Sequence, residues 1–228
     1  MKFPKNLAAK LETRKQNNAL RKLSFPNNLI DFASNDYIGF SKNKAIFEET
    51  HQYLIDNNSI KNGATGSRLL SGNHKVYHEA EDFISNFHRS ESALIFNSGY
   101  DANIGFFSSV PQKGDLILYD ELCHASIRDG ILLSNAKAYK FQHNDFEDLE
   151  KKITNYKLRI TNQEIYIVTE SVFSMDGDTP NLEELVQLAE KHLAYVVVDE
   201  AHALGVLGEK AKAWYKVYNF RKLFLHES

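Results

Sequence analysis

Four stretches of the chain set polar, ionisable residues directly after short apolar runs. Asp199, Glu200 and His202 follow Tyr195-Val-Val-Val198. Glu170, Ser174 and Asp176 follow Ile165–Thr169, and His124 follows Asp115–Tyr119. Ser98, Gly99 and Tyr100 follow Ala93–Phe96. A short β-branched run reads as a strand buried on both faces, and open α/β sheets bind small ligands outside the carboxyl ends of such strands. The four groups would then share one edge. They would offer a carboxylate, two imidazoles and a helix start whose backbone N–H groups favour a phosphate. Each is ordinary alone, since a strand-end carboxylate can simply cap the next turn.

The elements that must carry these groups alternate. Strands are expected at 93–96, 115–119, 138–141, 165–169 and 195–198. Helices are expected at 101–109, 124–133, 146–153 and 180–192, with Asp101 and Asp145 as caps and Pro180 in the first turn of the last. Strands separated by helical crossovers imply an α/β three-layer sandwich with a mostly parallel sheet. Ahead of this block, 5–22 reads as a thinly amphipathic helix bearing Arg14 and Arg21. A turn is expected at 25–28, a short strand at 29–33, a polar loop over Ser34–Gly39 with Asn35, and a helix at 43–57. Residues 74–88 show Val76, Ala80, Phe83, Ile84 and Phe87 on one face of a 3.6-residue period. His74 and His78 lie four apart there, but no third metal ligand accompanies them.

Composition narrows the classes. The chain has 228 residues, 43% hydrophobic and 25% charged, with a net charge of −3 and one cysteine, Cys123. Nothing in this balance suggests nucleic acid or a membrane as partner. No apolar run nears the roughly 20 residues that span a bilayer. The lone cysteine and the polar N-terminal sequence point to the cytoplasm. Nucleotide hydrolysis would suit the Val-Val-Val-Asp199-Glu-Ala-His202 strand end, but the Gly-x-x-x-x-Gly-Lys-[Ser/Thr] loop it needs is missing. Gly-x-Ser-x-Gly is missing too, against serine hydrolysis.

Pyridoxal phosphate matches the groups better. Its phosphate wants a helix N-terminus, offered by Ser98–Tyr100. Its ring wants a face to stack on, offered by His124. Its ring nitrogen wants a carboxylate, Asp199, and its phenolic oxygen a donor, His202. The motifs Ser34-Asn-Asp-Tyr-Ile-Gly, Gly63-Ala-Thr-Gly-Ser-Arg-Leu-Leu-Ser-Gly, Asn97-Ser-Gly-Tyr, His124-Ala-Ser-Ile, Phe173-Ser-Met-Asp-Gly-Asp and Asp199-Glu-Ala-His together resemble the α-oxoamine synthase family of fold-type I pyridoxal phosphate enzymes. Gly-Ser-Arg-Leu-Leu-Ser-Gly and Asn17-Asn-Ala-Leu-Arg21 are most similar to its 8-amino-7-oxononanoate synthase branch.

The resemblance implies a decarboxylative condensation in biotin synthesis. L-alanine loses its α-proton, the carbanion attacks the thioester of pimeloyl-CoA or pimeloyl-carrier protein, and CO2 leaves. It implies that Gly99 and Tyr100 hold the phosphate, His124 stacks on the ring, Ser174 and His202 contact the cofactor, and Asp199 pairs with the ring nitrogen. It assigns Arg21 and Asn35 to substrate and Glu170 to proton handling. It also implies a homodimer. The expected layout is an N-terminal arm and helix (1–45), an incomplete cofactor-binding large domain (46–210) and a divergent tail (211–228), without the small C-terminal domain. Family pattern stops after Gly208-Glu-Lys210, before the Thr-Phe-x-Lys-like segment whose lysine bonds the cofactor. The expectation is therefore a truncated copy. It is either an enzyme of this class, a sibling using glycine or serine, or an inactive fragment or cofactor-binding subunit.

Overall fold

The structure is a computed structural model that describes residues 3–23, 30–157, 163–208 and 222–225. The chain divides into two compact units, Met1–Asn35 and Asp36–Ser228. In the first, helix α1 spans Lys5–Gln16, shorter than the 5–22 expected. Asn18 turns into the left-handed region at φ 52°. The N–H groups of Asn18 and Ala19 then donate back to Lys15 O and Arg14 O. That pair of bonds closes the last turn, and asparagine tolerates the conformation better than most residues. The strand expected at 29–33 does not form over its described residues. Asp31 instead accepts the Ala33 N–H at 2.9 Å in a local turn, and Ile30 and Phe32 stand exposed. The turn expected at 25–28 and Leu29 lie outside the described residues.

The second unit opens with α2 (Lys44–Asp56), capped by the Asn43 side chain, and α3 (Lys75–His88). The periodic face of α3 is only half-buried, and Phe83 is 69% exposed. The strand expected at 93–96 does not form: the segment pairs with no described strand. Its Ile95 N–H goes to the Glu81 carboxylate at 2.9 Å instead. β-propensity without a neighbouring strand does not make a ladder.

Beyond it the alternation holds: α4 (Gly99–Ser109), β1 (Leu116–Asp120), α5 (Ala125–Leu133), β2 (Lys137–Phe141), α6 (Phe146–Lys157), β3 (Ile165–Glu170), α7 (Leu182–His192), β4 (Tyr195–Asp199) and β5 (Lys222–Leu225). One cap and one helix start differ from expectation, since Pro180 precedes α7 rather than lying in its first turn. Ser98, not Asp101, caps α4 by accepting the Asp101 N–H at 3.1 Å. Asn181, one residue past Pro180, caps α7 by accepting from Glu184 N. The fifth strand was not foreseen in the 211–228 tail.

Among the described residues all strand pairings are parallel, in the order β2-β1-β3-β4-β5. The chain steps outward from β1 to β2, then returns across β1 to β3. The switch point of the sheet therefore lies between β1 and β3, where a ligand crevice is expected. Side chains alternate cleanly between two cores. Leu116, Leu118, Ile165, Ile167, Val196 and Val198 pack with Leu149 and Ile153 of α6 and Leu185 and Leu188 of α7. Ile117, Tyr166, Val168 and Val197 pack with Phe107 of α4 and Ile127 and Ile131 of α5. Each such aliphatic residue contributes about 1.5–3 kcal/mol relative to exposure. The result is the three-layer sandwich expected, with helices on both faces.

Helices α4 and α5 meet closely because Gly130 has no side chain. A Cβ there would lie 2.8 Å from Asn103 O and 3.1 Å from Ile104 Cα. Both are backbone atoms that cannot swing aside. Gly130→Ala should therefore force the helices apart and cost about 1–3 kcal/mol, read from the urea midpoint of the variant.

Candidate functional site

The strand pleat decides which face each strand-end group takes. Successive residues alternate, so Glu170 shares the α4/α5 side with Tyr166 and Val168, and Asp199 shares it with Val197. The two carboxylates are register partners across β3 and β4. Asp120 has the opposite parity and turns toward the loop after β2.

Asp199 is 5% exposed. Its Oδ1 accepts the Ala201 N–H at 3.0 Å, and its Oδ2 accepts Asn103 Nδ2 at 2.9 Å. Among the described residues no cation pairs with it. Asn103 comes from α4 and is itself buried. The same Nδ2 donates to Ser126 Oγ on α5 at 2.9 Å. Ser126 Oγ then lies 2.7 Å from His124 Nδ1. His124 caps α5, with its Nδ1 also accepting the Ser126 N–H at 3.3 Å. Its own backbone N–H goes to Glu170 Oε1 at 2.5 Å. Glu170, 3% exposed, thus anchors the His124 turn.

Ser98, Gly99 and Tyr100 form the start of α4, where first-turn N–H groups have no intrahelical acceptor. The Ser98 hydroxyl is engaged as the cap, so the anion-binding groups here are backbone. The Tyr100 hydroxyl donates to Asp129 at 2.6 Å, and that bond holds its pKa above the usual tyrosine value. His202 follows β4 with Nδ1 2.7 Å from the Tyr37 hydroxyl, 165 residues away in sequence. Ser174 is exposed on the loop after β3. The structure thus gathers His124, Glu170 and Asp199 in one bonded cluster. Arg21 and Asn35 are exposed residues of the first unit. In the Gly63–Gly72 loop, Arg68 is engaged by both oxygens of Glu81, at 2.6 and 2.9 Å, and lies 4.2 Å above the Tyr77 ring.

Asn103, Ser126 and Tyr37 were not anticipated as site residues, and neither was a second cluster around His143. The His143 ring bridges buried Asp120, at 2.9 Å, and Asp178, at 2.7 Å. Asn144 joins the same two carboxylates through its N–H and its amide. Together they pin the loop that carries Ser174. Cys123 is fully buried, and that burial, with Glu170, Asp120 and Asp199 nearby, pushes its thiol well above the usual range. It is an inert core residue. His78 bonds Asn73, and the described residues contain no group of three metal ligands.

The aminotransferase class I and II family model matches residues 27–225. The chain belongs to that family. A Methanococcus vannielii protein provisionally named 8-amino-7-oxononanoate synthase is 40% identical over 210 residues, covering 91% of this chain and 54% of that one. Serine palmitoyltransferase from S. paucimobilis, solved with bound PLP-Myriocin, superposes with a TM-score of 0.80 at 28% identity, over 95% of this chain and 58% of that one. The 8-amino-7-oxononanoate synthase of Francisella tularensis gives 0.64 at 28% identity, over 82% and 49%. This aminotransferase-family chain spans about half the length of the relatives it matches. The match runs through the tail expected to diverge after Lys210, to the end of β5.

The donor set fits the cofactor such family members hold. A buried carboxylate with two N–H donors, and no cation on it among the described residues, suits a cationic ring nitrogen. The α4 start suits a phosphate, and the His124 imidazole supplies a flat face.

The His143 cluster makes stability depend on pH. Burial pulls the imidazolium down, yet the bonds to Asp120 and Asp178 outweigh it, and the pKa is raised. The pair's stabilisation is full below the unfolded histidine value of about 6.5 and is lost as pH rises through the higher native value. The stability difference between the wild type and His143→Gln, from urea midpoints, should shrink as pH rises through that window. A difference that is flat with pH would remove histidine charge from the account.

Proposed function

We propose that this chain forms the cofactor-holding body, over residues 46–210, of a pyridoxal phosphate-dependent acyltransferase. Its reaction would join an amino acid to an acyl thioester with loss of CO2. The likeness to provisionally named 8-amino-7-oxononanoate synthases favours L-alanine and a pimeloyl thioester, on CoA or a carrier protein. The observation that carries the reading is Asp199: a buried carboxylate with no cation paired to it among the described residues, linked through Asn103 and Ser126 to the His124 imidazole, on the same sheet edge as a helix start.

When bound, pyridoxal phosphate supplies an electron-accepting ring for the charge left when a bond to the substrate's α-carbon breaks. The protein's residues would do the rest. Asp199 would hold the ring nitrogen in its protonated form. The first-turn N–H groups of Gly99 and Tyr100, with Ser98 capping the turn, would bind the phosphate. His124 would cover one ring face, fixed in place by Glu170 and Ser126. His202, held by Tyr37, would donate to the phenolic oxygen, and Ser174 would make a further contact. Arg21 would contact the substrate, and Asn35 would face the amino-acid carboxylate.

A homodimer in the cytoplasm completes the reading. Among the described residues no helix is long and apolar enough to cross a membrane. A sibling synthase acting on serine or glycine is the second reading. The 0.80 TM-score to serine palmitoyltransferase favours it.

Equilibrium dialysis against pyridoxal phosphate tests the cofactor site. Asp199→Asn, which keeps the shape and removes the charge, should weaken binding about 10-fold or more, the ratio that corresponds to 1.4 kcal/mol. Equal affinity of the two proteins would contradict the assignment. Release of CO2 with alanine and pimeloyl thioester, against serine and palmitoyl thioester, separates the two substrate readings.

A further inference from the structure

Two side chains given no role by the sequence reading, Asn103 and Ser126, lie between two groups assigned to the cofactor. Asn103 is 1% exposed and Ser126 is fully buried. The direction of their hydrogen bonds follows from chemistry. A carboxylate held by N–H donors only accepts, so the Asn103 group facing Asp199 Oδ2 must be its NH2. That same nitrogen donates its second hydrogen to Ser126 Oγ. Having accepted there, the Ser126 hydroxyl directs its own hydrogen along the 2.7 Å contact to His124 Nδ1. The Ser126 backbone N–H points at the same nitrogen. His124 Nδ1 is therefore an acceptor, and the ring proton sits on Nε2.

We propose that Asn103 and Ser126 are positioning residues that couple the charge of Asp199 to the tautomer and orientation of the His124 ring. The proposal rests on the cofactor reading for its purpose, not for its geometry. It gives one buried carboxylate two effects: holding the ring nitrogen directly, and fixing the stacking imidazole through two hydrogen bonds in series. Burial of both links keeps water from substituting for either, which preserves the direction of the chain. The close α4–α5 approach at Gly130, one turn along from Ser126, is what lets the links meet.

The test is histidine 15N NMR on the 228-residue chain without pyridoxal phosphate. His124 should show a protonated Nε2 and a hydrogen-bonded, unprotonated Nδ1. Asp199→Asn does not touch His124, yet it should move the Nδ1 resonance. That response should fall by at least about half in a Ser126→Ala background, as expected for residues in one network. It should return in Ser126→Thr, which keeps the hydroxyl. Asn103→Leu cuts the chain at its other link, so either variant that stays folded gives the answer. A protonated Nδ1, no response to Asp199→Asn, or an equal response with and without the Ser126 hydroxyl would overturn the proposal. A separate pyridoxal phosphate titration keeps the two ideas apart. No binding by the wild type would sink the cofactor reading and leave the NMR result standing.

Discussion

Asp199 is a carboxylate taken out of water at the end of a central strand, and the structure around it answers that cost. An isolated buried charge is among the most expensive things a fold can contain, and it persists only with donors or a counter-charge. Here the donors come from two places. The Ala201 N–H arises from the turn the strand itself makes. The Asn103 amide has to be delivered from another element, so helix α4 must cross close to the strand end. The buried stripe of Ala102 and Phe107 on α4 and the notch at Gly130 on α5 secure that crossing. What remains after both donors is a negative site with room in its hydrogen-bonding for a cation.

The pleat distributes the rest. Odd and even strand positions go to opposite cores, so parity alone sends Glu170 and Asp199 toward α4 and α5 and Asp120 toward His143. Two polar clusters result, one on each side of the sheet's carboxyl edge. The first carries the candidate chemistry. The second holds down the loop that follows β3. Both flank the switch point between β1 and β3, where a parallel sheet leaves a crevice.

Much of this was legible in the residues. The β-branched runs ending in Asp199 and Glu170 showed strands and the shared edge from the residues alone. His124 was legible as a group after a strand, though not as a helix cap. Asn103 was not, because one asparagine in a helix reads as an exposed position unless its neighbours' burial is known. Tyr37 was not, because its partner His202 is distant in the chain. Ala93–Phe96 misled because an apolar run says nothing about whether a strand lies beside it. Lys222–Leu225 was missed for the converse reason: four residues of weak pattern become a strand because β4 offers a free edge. Local propensity decided neither case; the neighbour did.

The most direct measurement is the protonation state of the cofactor's ring nitrogen. Pyridoxal phosphate labelled with 15N in the ring, bound to this chain, should show a protonated nitrogen in the wild type. In Asp199→Asn the nitrogen should lose that proton, because the carboxylate that holds it is gone. The same resonance in both proteins would contradict the account, since the buried charge of Asp199 would then be doing nothing for the ring.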